Sequence, residues 1–202
     1  MKDAGKQRRF PTGDLARVAV FAAVIAVLGL PGSFNVFGNP TPITLQTLGV
    51  MLAGAILGTW RSALAVVVLL VLVAVGLPLL AGGRGGLGVF AGPTAGFLAG
   101  WIPGAAVTGW LVERAGRDPG IVRLATACAV GGIAVVYVFG ISWQAIATGA
   151  PLGAVALLSA AFLPGDLAKA VLTAIVARGA QRAYPDAVPA VHRERLRAGE
   201  GR

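Results

Sequence analysis

The sequence predicts an all-α, polytopic membrane protein with six transmembrane helices, and three observations carry that prediction. Of 202 residues, 56% are hydrophobic and only 12% charged, whereas a soluble domain has about 45–50% apolar and about 25% charged residues. Glycine, which is frequent in membrane helices, contributes 30 residues. The apolar runs are punctuated by Gly, Pro and charge at intervals that suit spans of about 20 residues, leaving room for roughly five to seven spans and for no soluble catalytic domain beside them.

The elements follow from those punctuation points. Residues 1–14 are polar and basic and are expected to form a cytoplasmic segment. The apolar run that follows passes into Pro31 and Gly32 without a small-residue cleavage site, which identifies it as a first helix rather than a signal peptide. That helix is placed over 15–30. A turn-rich loop over 31–42 leads to a second helix over 42–58, with Pro42 in its first turn, where a missing N–H does no harm. A tight turn at 59–61 precedes a third helix over 62–77. A loop with Pro78 and the run Gly82-Gly83-Arg84-Gly85-Gly86 precedes a fourth helix over 93–112. After a charged turn, a fifth helix covers 121–141. Residues 142–163 are apolar but broken by Gly149, Pro151 and Gly153, and are expected to form an outer segment with a short interfacial helix; the alternative is one long kinked helix from about Leu152. Pro164-Gly165-Asp166 then opens a sixth helix that runs to about 182. The membrane domain is thus 15–182, followed by a flexible cytoplasmic tail, 183–202.

Orientation comes from the basic residues. The net charge is +9. In a soluble chain this would point to nucleic acid. Here the charge gathers at the chain ends and in the turns after the second and fourth helices, so no nucleic-acid role is expected. The positive-inside rule places those segments, and both termini, in the cytoplasm of a multi-pass protein of a bacterial cell membrane. All 17 basic residues obey this grouping except Arg84 and Lys169.

Those two exceptions, with Asp166, are the candidate site. An ionisable residue at membrane depth costs about 2.5–3.5 kcal/mol unless it is paired or faces water, and is a functional candidate for that reason. Asp166 and Lys169 share a helix face at i, i+3. A carboxylate accepts from N–H groups and an ammonium donates to a carbonyl, so the pair complements a flat head group bearing both. The alternative is a salt bridge that merely makes burial tolerable. Arg84, flanked by Gly83 and Gly85, is suited to a two-pronged grip on a carboxylate, and the glycines permit close approach of backbone to ligand. Thr44 and Gln46 are further candidates at the outer start of the second helix. Tyr137 and Trp143 lie near the outer end of the fifth, either as an interfacial aromatic belt or as a stacking wall. Trp60, Trp101 and Trp110 are read as belt or packing residues. Ala19, Ala22, Ala23 and Ala26 give the first helix small-xxx-small spacing that suits close approach of another membrane subunit.

Several chemistries find no support. The run Gly86-Leu87-Gly88 lacks the acidic residue of a dinucleotide fingerprint and leads into a membrane helix. There is no phosphate-binding Gly-Lys-Ser/Thr loop. Cys128 stands alone in an apolar run, and no cofactor or metal cluster is indicated. With one carboxylate at membrane depth on the outer side and no activated nucleophile, an enzyme is not expected.

Several segments resemble the BioY family, the biotin-specific S components of energy-coupling factor (ECF) transporters. They are Thr-Pro-Ile-Thr-Leu-Gln-Thr-Leu-Gly-Val-Met-Leu-Ala-Gly (41–54), Gly-Leu-Pro with Ala-Gly-Gly-Arg-Gly-Gly (76–86), Gly-Pro-Thr-Ala-Gly (92–96) and Phe-Leu-Pro-Gly-Asp-Leu-Ala-Lys (162–169). The resemblance runs in order over about 15–182. It implies an S-component fold, biotin as the transported ligand, and coupling to a transmembrane T component and ATPase subunits. It also implies that Arg84 meets the carboxylate of biotin, that Asp166 and Lys169 meet its ureido ring, that Trp143 packs on the rings, and that the alanines of the first helix dock the T component. An S component for another small vitamin, and a biotin transporter acting without ATPase partners, are the rival expectations.

Overall fold

The computed structural model describes residues 12–32, 43–116 and 118–184. The expected loop over 31–42 from residue 33 onward, the helix start at Pro42, most of the N-terminal segment and nearly all of the C-terminal tail lie outside the described residues. Those described are helical throughout, apart from short connections: α1 (Thr12–Val27), α2 (Gln46–Leu57), α3 (Thr59–Ala74), α4 (Ala95–Arg114), α5 (Ile121–Ala129), α6 (Val136–Thr148), α7 (Leu152–Ala160) and α8 (Leu163–Ala183), with one 3-10 turn at Leu87–Phe90. A π turn, Val130–Val135, joins α5 to α6 so that Ile121–Thr148 is one continuous helix.

By length and apolarity, Ala95–Arg114 and Ile121–Thr148 are each able to cross a membrane. The pair α7–α8 meets the same criterion as one broken span, bent by 55°. The helices α2 and α3 are apolar but shorter. Between them stands a single residue, Gly58, at φ +81, a left-handed value that a side chain would resist. Thr59–Arg61, expected to form a turn, is therefore already helical.

The helix α4 lies at the centre, packed on α2, α3 and α6, while α8 packs on α2 and α5, and α1 on α2 and α3. Sequence explains the close approach. Gly96, Gly100 and Gly104 recur every fourth residue of α4 and face α6 and the π turn. A Cβ at Gly100 would stand 3.1 Å from the Val136 carbonyl oxygen, and one at Gly104 2.8 Å from that of Gly131. This small-xxx-small stripe lets backbones touch. On its other side, α4 meets α2 through Gly54, where a Cβ would be 2.8 Å from the Ala105 carbonyl oxygen. Large apolar side chains such as Val20, Val122, Val138, Ile146, Val171 and Ile175 are exposed around the outside, as lipid-facing positions are.

Two expectations need correction, one on the fifth helix and one on α1. The fifth helix does not stop at 141 but runs to Thr148, because no breaker occurs before Gly149, which caps it in the left-handed conformation at φ +68. The short helix expected within 142–163 is α7, confined to Leu152–Ala160. On α1, Ala22 is buried with Val18 and Ile25 against the bundle, so it is unavailable to an outside partner. Ala19 and Ala23 are exposed and Ala26 is half-buried. Helical periodicity of 3.6 puts Ala22 on the face of Val18 and Ile25 rather than on that of Ala19 and Ala23.

The basic turns gather at one end. Arg61 pairs with Asp14 at 2.9 Å. A carboxylate oxygen of Glu113 accepts from the Thr59 N–H at 2.8 Å. Arg178 donates to the Pro119 carbonyl at 3.0 Å.

Candidate functional site

A cavity of about 620 Å³, its mouth included, lies between α2, α4, α6 and α8. Its wall brings together Arg84, Asp166, Lys169, Tyr137, Thr44 and Gln46, residues drawn from across more than half of the chain.

Part of the wall is a charged cluster on α8. Pro164 stands in the first turn of that helix, and Asp166 follows in the same turn, where the helix dipole favours a negative charge. Asp166 and Lys169 are 6% and 8% exposed, so both charges are largely buried. They neutralise each other at 2.8 Å. The ammonium also donates to the Thr44 carbonyl at 2.7 Å and to Thr47 Oγ1 at 3.1 Å. The second carboxylate oxygen of Asp166 accepts from the Tyr137 hydroxyl at 2.8 Å. Tyr137 is in turn held edge-on by Phe97, with ring centroids 6.3 Å apart.

Another part of the wall is a compact loop. Leu80 and Arg84 exchange two backbone hydrogen bonds, 3.0 and 3.2 Å long. The turn between them passes through Gly82 and Gly83 at φ +77 and +69. This places the half-buried Arg84 on the cavity wall, with its Nε–H donating to the Ala81 carbonyl at 3.2 Å. Among the described residues no acid pairs with its guanidinium. The three charges of the site sum to one positive charge, the complement of a monocarboxylate.

Other candidates fall elsewhere. Trp143 does not line the cavity. Its indole N–H donates to the Gly92 carbonyl at 3.0 Å, and its Cβ packs against Gly96, so it fastens the start of α4 from outside. The long α6 carries its side chain past the rim. Gly83 lies on a neighbouring apolar groove with Ala26, Leu30 and Pro78. Gly85 is required by contact with the Leu77 backbone, whose carbonyl carbon a Cβ would approach to 2.8 Å. Both glycines shape the loop rather than the cavity. Gln46 reaches the wall, but its carboxamide is committed to backbone groups.

The sequence reading missed Phe97, Trp101, Phe162 and Thr94, which line the cavity. For Phe97 and Trp101 the i, i+4 spacing on α4 was the available signal, since it places both rings on one face. Trp101 is a cavity residue, not one of a lipid belt, and its buried indole N–H has no partner among the described residues.

The BioY family model matches residues 2–186. The chain belongs to the BioY family. The biotin transporter BioY of Rhizobium etli is 49% identical over 179 residues, covering 86% of this chain and 96% of that relative. The biotin transporter BioY of Rhodobacter capsulatus is 49% identical over 184 residues, covering 87% and 96%. The fold is similar to a 2.1 Å crystal structure of the S-component for biotin from an ECF-type ABC transporter. The TM-score is 0.81 at 28% identity, over 85% of this chain and 92% of that one. The expected all-α fold of S-component type is thus the fold of this BioY chain, and its named relatives are transporters, not enzymes.

Proposed function

We propose that this chain is the biotin-binding membrane subunit, or S component, of an uptake system energised by ATP hydrolysis in partner subunits. The observation that carries the reading is one cavity whose wall carries both Arg84 and the buried Asp166–Lys169–Tyr137 cluster. Biotin has a carboxylate at one end, a ureido group with two N–H donors and a carbonyl acceptor at the other, and an apolar bicycle between them. Arg84 takes the carboxylate, Asp166 accepts from the ureido N–H groups, and Lys169 donates to the ureido carbonyl. Phe97, Trp101 and Phe162 supply the apolar walls. The named relatives are biotin transporters, and the similar S-component for biotin comes from an ECF-type ABC transporter.

On this reading the chain crosses the membrane six times, through α1, α2, α3, α4, α5–α6 and α7–α8, with the basic ends in the cytoplasm. Ala19, Ala23 and Ala26 of α1 form the face that docks a transmembrane T component, through which the ATPase subunits act. No step of chemistry is performed on biotin, and no cofactor takes part.

The deciding experiment is calorimetric titration of the purified, detergent-solubilised chain with biotin. Saturable one-to-one binding is expected. No heat from a chain shown to be folded would redirect the assignment to another small vitamin. Biotin uptake by cells lacking the ATPase subunits separates coupled from solitary transport, and loss of uptake is expected.

A further inference from the structure

We infer that Gln46 is a positioning residue whose carboxamide fixes Arg84 relative to the Asp166–Lys169 pair, and so governs recognition of the ligand carboxylate through Arg84. The inference rests on the reading above that Arg84 meets that carboxylate.

Gln46 is 1% exposed, and its amide group is committed on both sides. Its Nε2 donates to the Leu79 carbonyl at 3.0 Å and to the Ile25 carbonyl at 3.3 Å. Its Oε1 accepts from the Ala81 N–H at 3.0 Å. Leu79 and Ala81 flank Leu80, whose N–H and carbonyl both pair with Arg84. The Ala81 carbonyl also accepts from Arg84 Nε. The carboxamide therefore grips the strand of the loop against which Arg84 is registered, and it does so from both sides of the pairing residue.

The same turn of chain holds the other end of the site. Thr44 and Thr47, which accept from Lys169, bracket Gln46. The Thr44 hydroxyl oxygen accepts from the Gln46 backbone N–H at 3.3 Å. Residues 44–47 thus touch Lys169 through the backbone and a hydroxyl, and reach the Arg84 loop through one buried amide. A ligand with a carboxylate at one end and a ureido group at the other is read by the distance between those two holdings. The glycines at the loop tip supply no rigidity of their own, so the loop depends on this external fastening.

Removing the carboxamide leaves the half-buried Leu79 carbonyl and the buried Ala81 N–H without their partner, and the loop shifts to satisfy them. The test uses the full chain in detergent, titrated with biotin and with biotin methyl ester, which keeps the head group but carries no charge on its tail. The variants are Gln46→Met, which preserves bulk while removing all three hydrogen bonds, Arg84→Ala, and the double substitution. Gln46→Met is expected to weaken biotin by about tenfold or more, to leave the ester within about twofold of wild type, and to add little to Arg84→Ala. Equal weakening of acid and ester, or weakening of neither, overturns the inference. Arg84→Ala read against wild type tests the carboxylate assignment by itself. If it treats acid and ester alike, that assignment fails and the role of Gln46 fails with it. Should Gln46→Met not extract as a folded chain, Gln46→Asn retains an amide one methylene short and is expected to show the same selectivity for the acid.

Discussion

Lys169 has three hydrogen-bond donors and meets three acceptors, and Asp166 has a partner on each carboxylate oxygen. A buried ion pair is costly to break from one side, by about 3–5 kcal/mol, because the surviving charge is stranded. Lys169→Met is therefore expected to lower the apparent melting temperature in detergent sharply. Adding Asp166→Leu is expected to recover much of the loss while biotin binding stays absent. That combination separates the structural share of the pair from its part in recognition. Tyr137→Phe leaves one buried carboxylate oxygen without its donor, and about 1–3 kcal/mol of stability is expected to go with it, read by the same melts. The charged members of the site were legible in the sequence because they violate the chemistry of their surroundings. Phe97, Trp101 and Phe162 were not, since an aromatic residue in an apolar helix conforms to its surroundings and only the fold shows which face it takes. Trp143 was misplaced for a related reason. Its nearness to a helix end was visible, but the direction of its side chain depended on how far that helix continues.

Among the elements, spacing of small residues decides which helices meet. Gly104→Ala puts a methyl group into the backbone of Gly131, and overpacking of this kind typically costs about 1–3 kcal/mol. Gly179, inside α8, has nothing within 4 Å of a Cβ, and Gly179→Ala is expected to be neutral or to stabilise by up to about 1 kcal/mol through helix propensity. Thermal melts of the two variants in one detergent compare them. The opposed signs follow from position alone, since the substitution is the same. The number of helical units and their order were legible from apolar runs and breakers. Their ends were less so. Pro93-Thr94 looked like the start of a helix that in fact begins at Ala95. The π turn leaves no mark in the apolar pattern; it coincides with the close contact of Gly131 with α4, a tertiary fact.

At the scale of the whole molecule, two kinds of charge occupy opposite roles. The ion pairs and cap at Arg61, Glu113 and Arg178 tie helix ends together, while Arg84, Asp166 and Lys169 line a cavity. The proposed topology puts the first group in the cytoplasm and the loop of Arg84 outside. The single Cys128 is buried, so introduced thiols report without removing it. A membrane-impermeant maleimide is expected to label Leu87→Cys, 74% exposed in the Arg84 loop, in intact cells. Tyr184→Cys, at a site 72% exposed just beyond α8, is expected to react only after permeabilisation. Labelling of both from outside would refute an arrangement in which that loop and the end of α8 face opposite sides.

The mutual satisfaction of Asp166, Lys169, Tyr137 and the Thr44–Thr47 turn bears on unloading. A carrier that strands a bare charge whenever its cargo leaves would resist emptying, and its turnover would suffer for the tightness of its grip. In the proposed site the groups assigned to the head group also have each other. A departing head group hands the donors of Lys169 and Tyr137 and the acceptors of Asp166 back to neighbours from the same chain, so strong capture and ready discharge are compatible in this set of side chains.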